Sequence, residues 1–317
     1  MTFSTYAELN QKMIEHFQQG EFRQALELIE KEGANFPANR PLVDYWKMVS
    51  CARLDDRKRV IEIAENCLKD GVWFGEMMWR RSPSFASLQG DAEFERIVAS
   101  SLALQEKDSP PSEPVLLKHF PKDHSKKSPL LIALHGNQNT AEGTLPFWRT
   151  SVDNGFVLAV PQSSQAMFKG AFVWDDLEVS FHDVKACYEN LKSEVDFDVQ
   201  SVVLAGHSMG GLIAIQMALT GDLPVRGLGV NGPALPFGDE PDELDKLLPS
   251  AQERGLRIYF IVGEKDTDIE QDAIRAFAEK MKSVGIPCEL EIVSGATHDY
   301  IPDYDAALLR GLKFITS

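Results

Sequence analysis

One junction restricts the folds open to this chain more than any other feature. The apolar run Ser201-Val202-Val203-Leu204-Ala205 breaks on Gly206-His207-Ser208-Met209-Gly210, and Leu212-Ile213-Ala214-Ile215-Gln216-Met217-Ala218-Leu219 follows with helical character. A strand that becomes a helix across a G-x-S-x-G pentapeptide must turn very tightly. Glycines at 206 and 210 remove the side chains that would clash where helix meets strand. The serine is left at the tip of the turn, in strained backbone, facing the N–H groups that open the helix. Those are the conditions for a nucleophilic serine with charge stabilisation beside it, so Ser208 is the candidate nucleophile.

Around this junction, apolar strand-like runs and amphipathic stretches alternate. The strand-like runs are Val115–Phe120, Leu130–Leu134, Val157–Val160, Val202–Ala205, Gly227–Val230, Leu256–Val262 and Cys288–Val293. Helical stretches are expected near 142–152, 177–195, 209–220, 242–253, 269–284 and 303–315. This alternation predicts a doubly wound α/β fold, with a mostly parallel sheet covered on both faces. The polar stretch from Lys122 to Pro129 is read as a hairpin loop joining the first two strands. In such sheets, ligands bind at the carboxyl ends of the strands.

A nucleophilic serine needs a base, and the base needs an orienting acid. The run Leu256–Val262 ends in Gly263-Glu264-Lys265-Asp266, which places an acid just past a strand. Asp266 is the candidate. Asp268 is a rival two residues on, and Asp239, Glu240 and Asp242 are rivals after the preceding strand. The alternating run Cys288–Val293 ends in Ser294-Gly295-Ala296-Thr297-His298. Of seven histidines, only His298 follows the candidate acid. His182 falls in an expected surface helix, and His207 is the variable residue of the pentapeptide, read as structural. The Met209 N–H is one expected oxyanion donor. The second is expected from the turn His135-Gly136-Asn137-Gln138, with the Asn137 N–H as donor and Gln138 held as backup and as a candidate substrate contact.

From about Val115 onward the chain resembles the α/β-hydrolase superfamily, and more narrowly its compact carboxylesterase/phospholipase-like branch. The resemblance rests on Leu134-His135-Gly136, Gly206-His207-Ser208-Met209-Gly210, Gly263-Glu264-Lys265-Asp266 and Gly295-Ala296-Thr297-His298. It implies a serine esterase with a Ser208–His298–Asp266 triad, an acyl-enzyme intermediate, a small-molecule ester substrate and no metal or organic cofactor. In that branch an aromatic-acidic stretch borders the acyl pocket. Trp174-Asp175-Asp176 stands there, making Trp174 a candidate substrate contact. Thioester or peptide cleavage on the same triad is the alternative chemistry. A vestigial hydrolase serving as an adaptor is the alternative of a different kind.

Residues 1–105 read as helices alone. Gly20–Ile29 matches Asp55–Ala64 at an offset of 35, with Ala25, Leu26, Leu28 and Ile29 over Val60, Ile61, Ile63 and Ala64. Paired helices of this length resemble the tetratricopeptide class. A small all-α, repeat-like domain is therefore expected, able to bind a partner protein or a second copy. A shorter stretch, Pro83–Val98, looks like the end of the array. The polar, proline-rich residues 106–114 form the expected linker, and 115–317 the catalytic domain. The run Val72–Trp79, rich in large apolar side chains, is read as packing inside the helical domain or against the sheet domain, or as a wall of the acyl pocket.

Charge narrows the partners. Net charge is −16, with 14 basic against 18 acidic residues in 1–110 and 18 against 30 in the remainder. Nucleic acids and anionic membranes require a basic face, so neither is an expected partner. Four scattered cysteines with no metal or redox spacing read as reduced core residues. Neither a signal sequence nor a membrane-length apolar run is evident, so a cytoplasmic location is the expectation.

Overall fold

A computed structural model describes residues 3–108, 115–237 and 241–317. The chain divides into two compact units, residues 1–112 with 166–169, and residues 113–165 with 170–317. The rival acids Asp239 and Glu240 and most of the expected linker lie outside the described residues.

The first unit contains helices α1 (Tyr6–Gln18), α2 (Phe22–Glu32), α3 (Arg40–Arg53), α4 (Arg57–Lys69), α5 (Glu76–Arg80) and α6 (Ala92–Asp108). Thr5 and Glu8 form a reciprocal capping box that fixes the start of α1. The two stretches matched by sequence play equivalent parts. Ala25, Leu26 and Ile29 of α2 are buried, and so are Val60, Ile61 and Ala64 of α4, while Leu28 and Ile63 are both half-buried. The run Val72–Trp79 supplies this unit's aromatic core. Phe74 meets Trp79 edge-on at 5.6 Å, Trp79 packs on Phe85 and Phe94, and the Trp79 indole donates to the Phe74 carbonyl at 3.1 Å.

The second unit is built from β1 (Leu116–His119), β2 (Leu130–Leu134), α7 (Ala141–Trp148), α8 (Thr150–Asp153), β3 (Val157–Pro161), β5 (Ala171–Phe172), α9 (Leu177–Glu194), β6 (Val202–His207), α10 (Met209–Thr220), β7 (Gly227–Asn231), α11 (Pro241–Glu253), β8 (Arg257–Gly263), α12 (Gln271–Ser283), β9 (Cys288–Val293) and α13 (Tyr304–Thr316). The short strand β4 (Ala166–Phe168) falls within the helical unit.

Seven of the described strands form one sheet in the order β1-β3-β2-β6-β7-β8-β9, parallel except for β1. The expected hairpin between the first two strands does not form. β1 pairs antiparallel with β3, Leu116 opposite Pro161, so β3 lies between β1 and β2. An antiparallel edge strand on a parallel sheet is a common arrangement. Side chains alternate along each inner strand and both sets are buried. Leu130, Ile132 and Leu134 of β2 face α9, α10, α11 and α12, where Val184, Ile213, Leu248 and Phe277 pack. Leu131 and Ala133 face α7 and α13, where Trp148, Leu308 and Ile315 pack. That two-sided burial explains why the inner strands read as continuous apolar runs. α10 is apolar nearly all round because it is enclosed by the sheet and its neighbouring helices.

Sheet order also positions the site. The chain passes from β2 to β3 on one side of β2, then to β6 on the other. The loops leaving β2 and β6 thus part at a switch point and open a crevice at the carboxyl edge, where Ser208 stands.

Candidate active site

Ser208 links β6 to α10 with φ +52° and ψ −120°, a conformation a non-glycine residue rarely holds. Its N–H donates to the Asn231 carbonyl at the end of β7, at 3.1 Å, and its carbonyl accepts from Leu212 and Ala234. Gly210 is required by close approach, since a Cβ there would lie 2.3 Å from the His135 carbonyl oxygen. The helix can therefore start directly against the end of β2.

His298 heads the loop after β9, and its Nε2 lies 2.9 Å from Ser208 Oγ. Its Nδ1 lies 2.9 Å from Asp266 Oδ2. An ionised carboxylate only accepts, so Nδ1 carries the proton and Nε2 presents a lone pair to the serine hydroxyl. Asp266 follows β8 and its side chain is 1% exposed. Its second oxygen accepts from the Asp268 N–H at 2.9 Å. Of the two neighbouring acids, then, Asp266 meets the imidazole, and Asp268 contributes a main-chain bond that fixes it. Asp242 is exposed on α11, and His182 is exposed on α9. Gly232 has φ +48°, and a Cβ there would lie 3.2 Å from Asp266 Oδ2 and 3.4 Å from His298 Nδ1, so the turn after β7 presses directly on the pair. The His298 loop is held from below by Glu264, whose carboxylate accepts from Ser294 Oγ at 2.7 Å and the Gly295 N–H at 2.8 Å. Those bonds hold the Glu264 carboxyl below its usual range.

The turn after β2 lies against the serine. A Cβ on Gly136 would come within 3.5 Å of Ser208 Cβ. His135 is fully buried, with Nδ1 donating to the Gly136 carbonyl at 2.8 Å and Nε2 accepting from the Ser163 N–H at 3.2 Å. Burial pushes its pKa down to about 4. The N–H groups of Asn137 and Met209 have no partner among the described residues, which leaves both available beside Ser208. Two sequence expectations change here. The Gln138 N–H donates to the Phe172 carbonyl at 2.8 Å, so it is not a free backup donor; only its exposed side chain remains available to a ligand. Trp174 is fully buried, and its indole donates to the His135 carbonyl at 2.8 Å while its ring packs 4.8 Å from the imidazole. With no accessible surface it braces the His135–Asn137 turn instead of touching substrate. Asn137 takes part in the same brace, its side-chain oxygen accepting from the Trp174 N–H at 3.2 Å.

Asn231 and Tyr300 belong to the site without having been foreseen. Asn231 is buried, and its carbonyl accepts from Ser208 and lies 3.1 Å from His207 Nδ1. A polar residue ending an apolar strand was the available signal. Tyr300 stacks on Phe147 at 3.7 Å and packs against His207. His207, read from the sequence as structural, is buried with its Nδ1 at 3.1 Å from the Asn231 carbonyl. Burial, followed by the nearby His298, lowers its pKa to about 4. Among the described residues, no cluster of three His, Cys, Asp or Glu side chains could hold a metal ion, and no helix is long and apolar enough to cross a membrane.

Residues 159–309 match the model of the dienelactone hydrolase family. An uncharacterized protein from Bacillus cereus is 26% identical, with 99% of each chain covered and a TM-score of 0.55. The fold recurs at low identity in an esterase (15% identity, 63% of this chain and 98% of that one, TM-score 0.53). It recurs again in a dienelactone hydrolase-like promiscuous phosphotriesterase from metagenomic libraries (13%, 64% and 92%, TM-score 0.51). No curated protein is significantly similar in sequence. The sheet, its flanking helices and the family match define an α/β-hydrolase. The chain is a hydrolase of the esterase type, carrying an additional N-terminal helical unit.

Proposed function

We propose that this protein hydrolyses carboxylic esters of small molecules through a Ser208–His298–Asp266 triad and an acyl-enzyme. The observation that carries the reading is the unbroken hydrogen-bond chain from Asp266 through His298 to Ser208, 2.9 Å at each step, ending on a serine at φ +52°. Ser208 Oγ attacks the acyl carbon as its proton passes to His298 Nε2. Asp266 stabilises the imidazolium so formed. The Met209 and Asn137 N–H groups receive the negative oxygen. Collapse of the adduct breaks the bond to the alcohol, which takes the proton from Nε2. Water then attacks the acyl-serine, giving its proton to Nε2; collapse of this second adduct breaks the bond to Ser208 Oγ, which takes that proton back from Nε2, and the carboxylic acid leaves. Apart from the ester and the water, each reacting or stabilising group in this sequence belongs to the chain, with no step assigned to a metal or organic cofactor.

Net charge of −16 supports a small-molecule substrate over a polyanion. Four buried, unpaired thiols support the cytoplasm as the place of action. A fluorophosphonate probe tests the mechanism, because it labels only an activated serine. The wild-type enzyme is expected to label and to cleave ethyl acetate, and Ser208→Ala to do neither while keeping its circular dichroism spectrum. Labelling or turnover of that variant at the wild-type rate would overturn the assignment.

A further inference from the structure

Across the Gly232–Ala234 turn from the serine lies an open cavity of about 620 Å³. Its walls are apolar, formed by Leu235, Phe237, Leu244, Ile269, Ile274 and Phe277. Two bonds donated by main-chain N–H groups fasten those walls to the site. Ala234 N–H donates to the Ser208 carbonyl at 3.3 Å, and Asp268 N–H donates to Asp266 Oδ1 at 2.9 Å. The rim bears three carboxylates, Asp245, Asp268 and Glu270, against one cation, Lys280, which is paired with Asp245 at 2.7 Å. Neither Asp268 nor Glu270 has an ion-pair partner among the described residues.

Sheet order indicates which end of an ester reaches this cavity. The turn carrying Asn137 follows β2, Ser208 follows β6, and the cavity walls follow β7 and β8. The oxyanion donor loop and the cavity therefore flank the serine on opposite sides. A bound carbonyl oxygen points toward Asn137 and Met209. The departing oxygen must face His298 Nε2, whose acid partner follows β8. The alcohol portion then extends toward the β7–β8 side, the side from which the segments lining the cavity come. Its volume falls within the roughly 300–1,000 Å³ of pockets that enclose a small-molecule ligand.

We infer that this cavity is the alcohol-side specificity pocket, and that it selects esters of bulky apolar alcohols, uncharged or cationic, over short or anionic ones. The inference rests on the Ser208 reading above. Apolar walls reward each buried methylene of the alcohol, and unpaired carboxylates at the rim repel an anionic one.

The test measures kcat/KM for ethyl, butyl and octyl acetate, whose alcohols differ little in acidity, and for ethyl acetate, butyrate and octanoate. Lengthening the alcohol is expected to raise kcat/KM by at least about tenfold, with a smaller gain on the acyl side. Ala273→Trp, which fills the cavity from α12, is expected to bring the octyl-to-ethyl acetate ratio close to one. Octanol is expected to inhibit the wild-type enzyme competitively against ethyl acetate, a measurement that needs no variant. Carboxymethyl acetate is expected to be a poorer substrate than ethyl acetate, and the Asp268→Asn/Glu270→Gln pair to narrow that gap. A larger gain on the acyl side, an unchanged ratio in folded Ala273→Trp, or no competitive inhibition by octanol would overturn the pocket while the ester reading stood. A wild-type enzyme that cleaved none of these esters and took up no probe would overturn both.

Discussion

His135 makes the folded hydrolase unit acid-sensitive, by an amount that follows from its surroundings. It is fully buried, and its Nε2 accepts a bond from the Ser163 N–H. A proton on Nε2 would set one donor against another in a site without water access. Burial accordingly holds the folded pKa at about 4, against roughly 6.5 in an unfolded chain. Between those values the unfolded state binds the proton more readily, so stability falls with pH. The contribution is fully present above about pH 6.5 and is lost as pH falls toward 4. Linkage puts the loss between pH 7.5 and pH 5 at about 2 kcal/mol for this one side chain. A chain of two units need not unfold in one step. Hydrogen exchange of the β2 and β6 amides, corrected for intrinsic rates, is therefore the suitable assay. His135→Gln loses stability at every pH but cannot take up the proton. Its β2 protection is expected to decline about 2 kcal/mol less than wild type over that interval. Equal declines in the two proteins would refute the argument, because they would mean that His135 does not titrate between folded and unfolded states.

Three further outcomes follow from the same geometry. Ser208→Gly relieves the positive φ and is expected to raise stability by about 1 kcal/mol while abolishing probe labelling; a lower melting temperature would show that the serine backbone is not strained. Asp266→Asn is expected to lower kcat by about 10⁴-fold and to cost at least about two orders of magnitude more than Asp268→Asn on ethyl acetate, and the reverse ranking would reassign the acid. Trp174→Phe leaves the His135 carbonyl unpaired, which is expected to cost about 1–2 kcal/mol and to lower kcat more than it raises KM, because the Asn137 donor loses its brace; a pure KM effect would return Trp174 to the substrate.

What the sequence disclosed and what it concealed divide along physical lines. Apolar periodicity is a local property, so all seven strands of the main sheet and the helices after them could be read from it. β4 and β5, three and two residues long, are too short to show a period. Strand partners are not local either, which is why β1 was expected beside β2 and pairs with β3 instead. Ser208, Asp266 and His298 stood out because each follows a recognisable strand, and their approach to hydrogen-bond distance then follows from the order β6-β7-β8-β9. Trp174 was misread because an aromatic in a loop has the same local signature whether it braces or binds, and the Gln138 N–H could not be seen to be occupied because its partner, the Phe172 carbonyl, lies on a distant segment. The elbow itself shows the division most clearly. Its glycines permit the turn, but they do not hold a serine at φ +52°. The Asn231 carbonyl on the Ser208 N–H does so from β7, the end of β2 does so by lying against Gly210, and Pro233 does so by packing where a Cβ on Gly211 would meet it at 2.7 Å. The strain that exposes the nucleophile is local in sequence, and the contacts that maintain it come from three neighbouring segments of the fold.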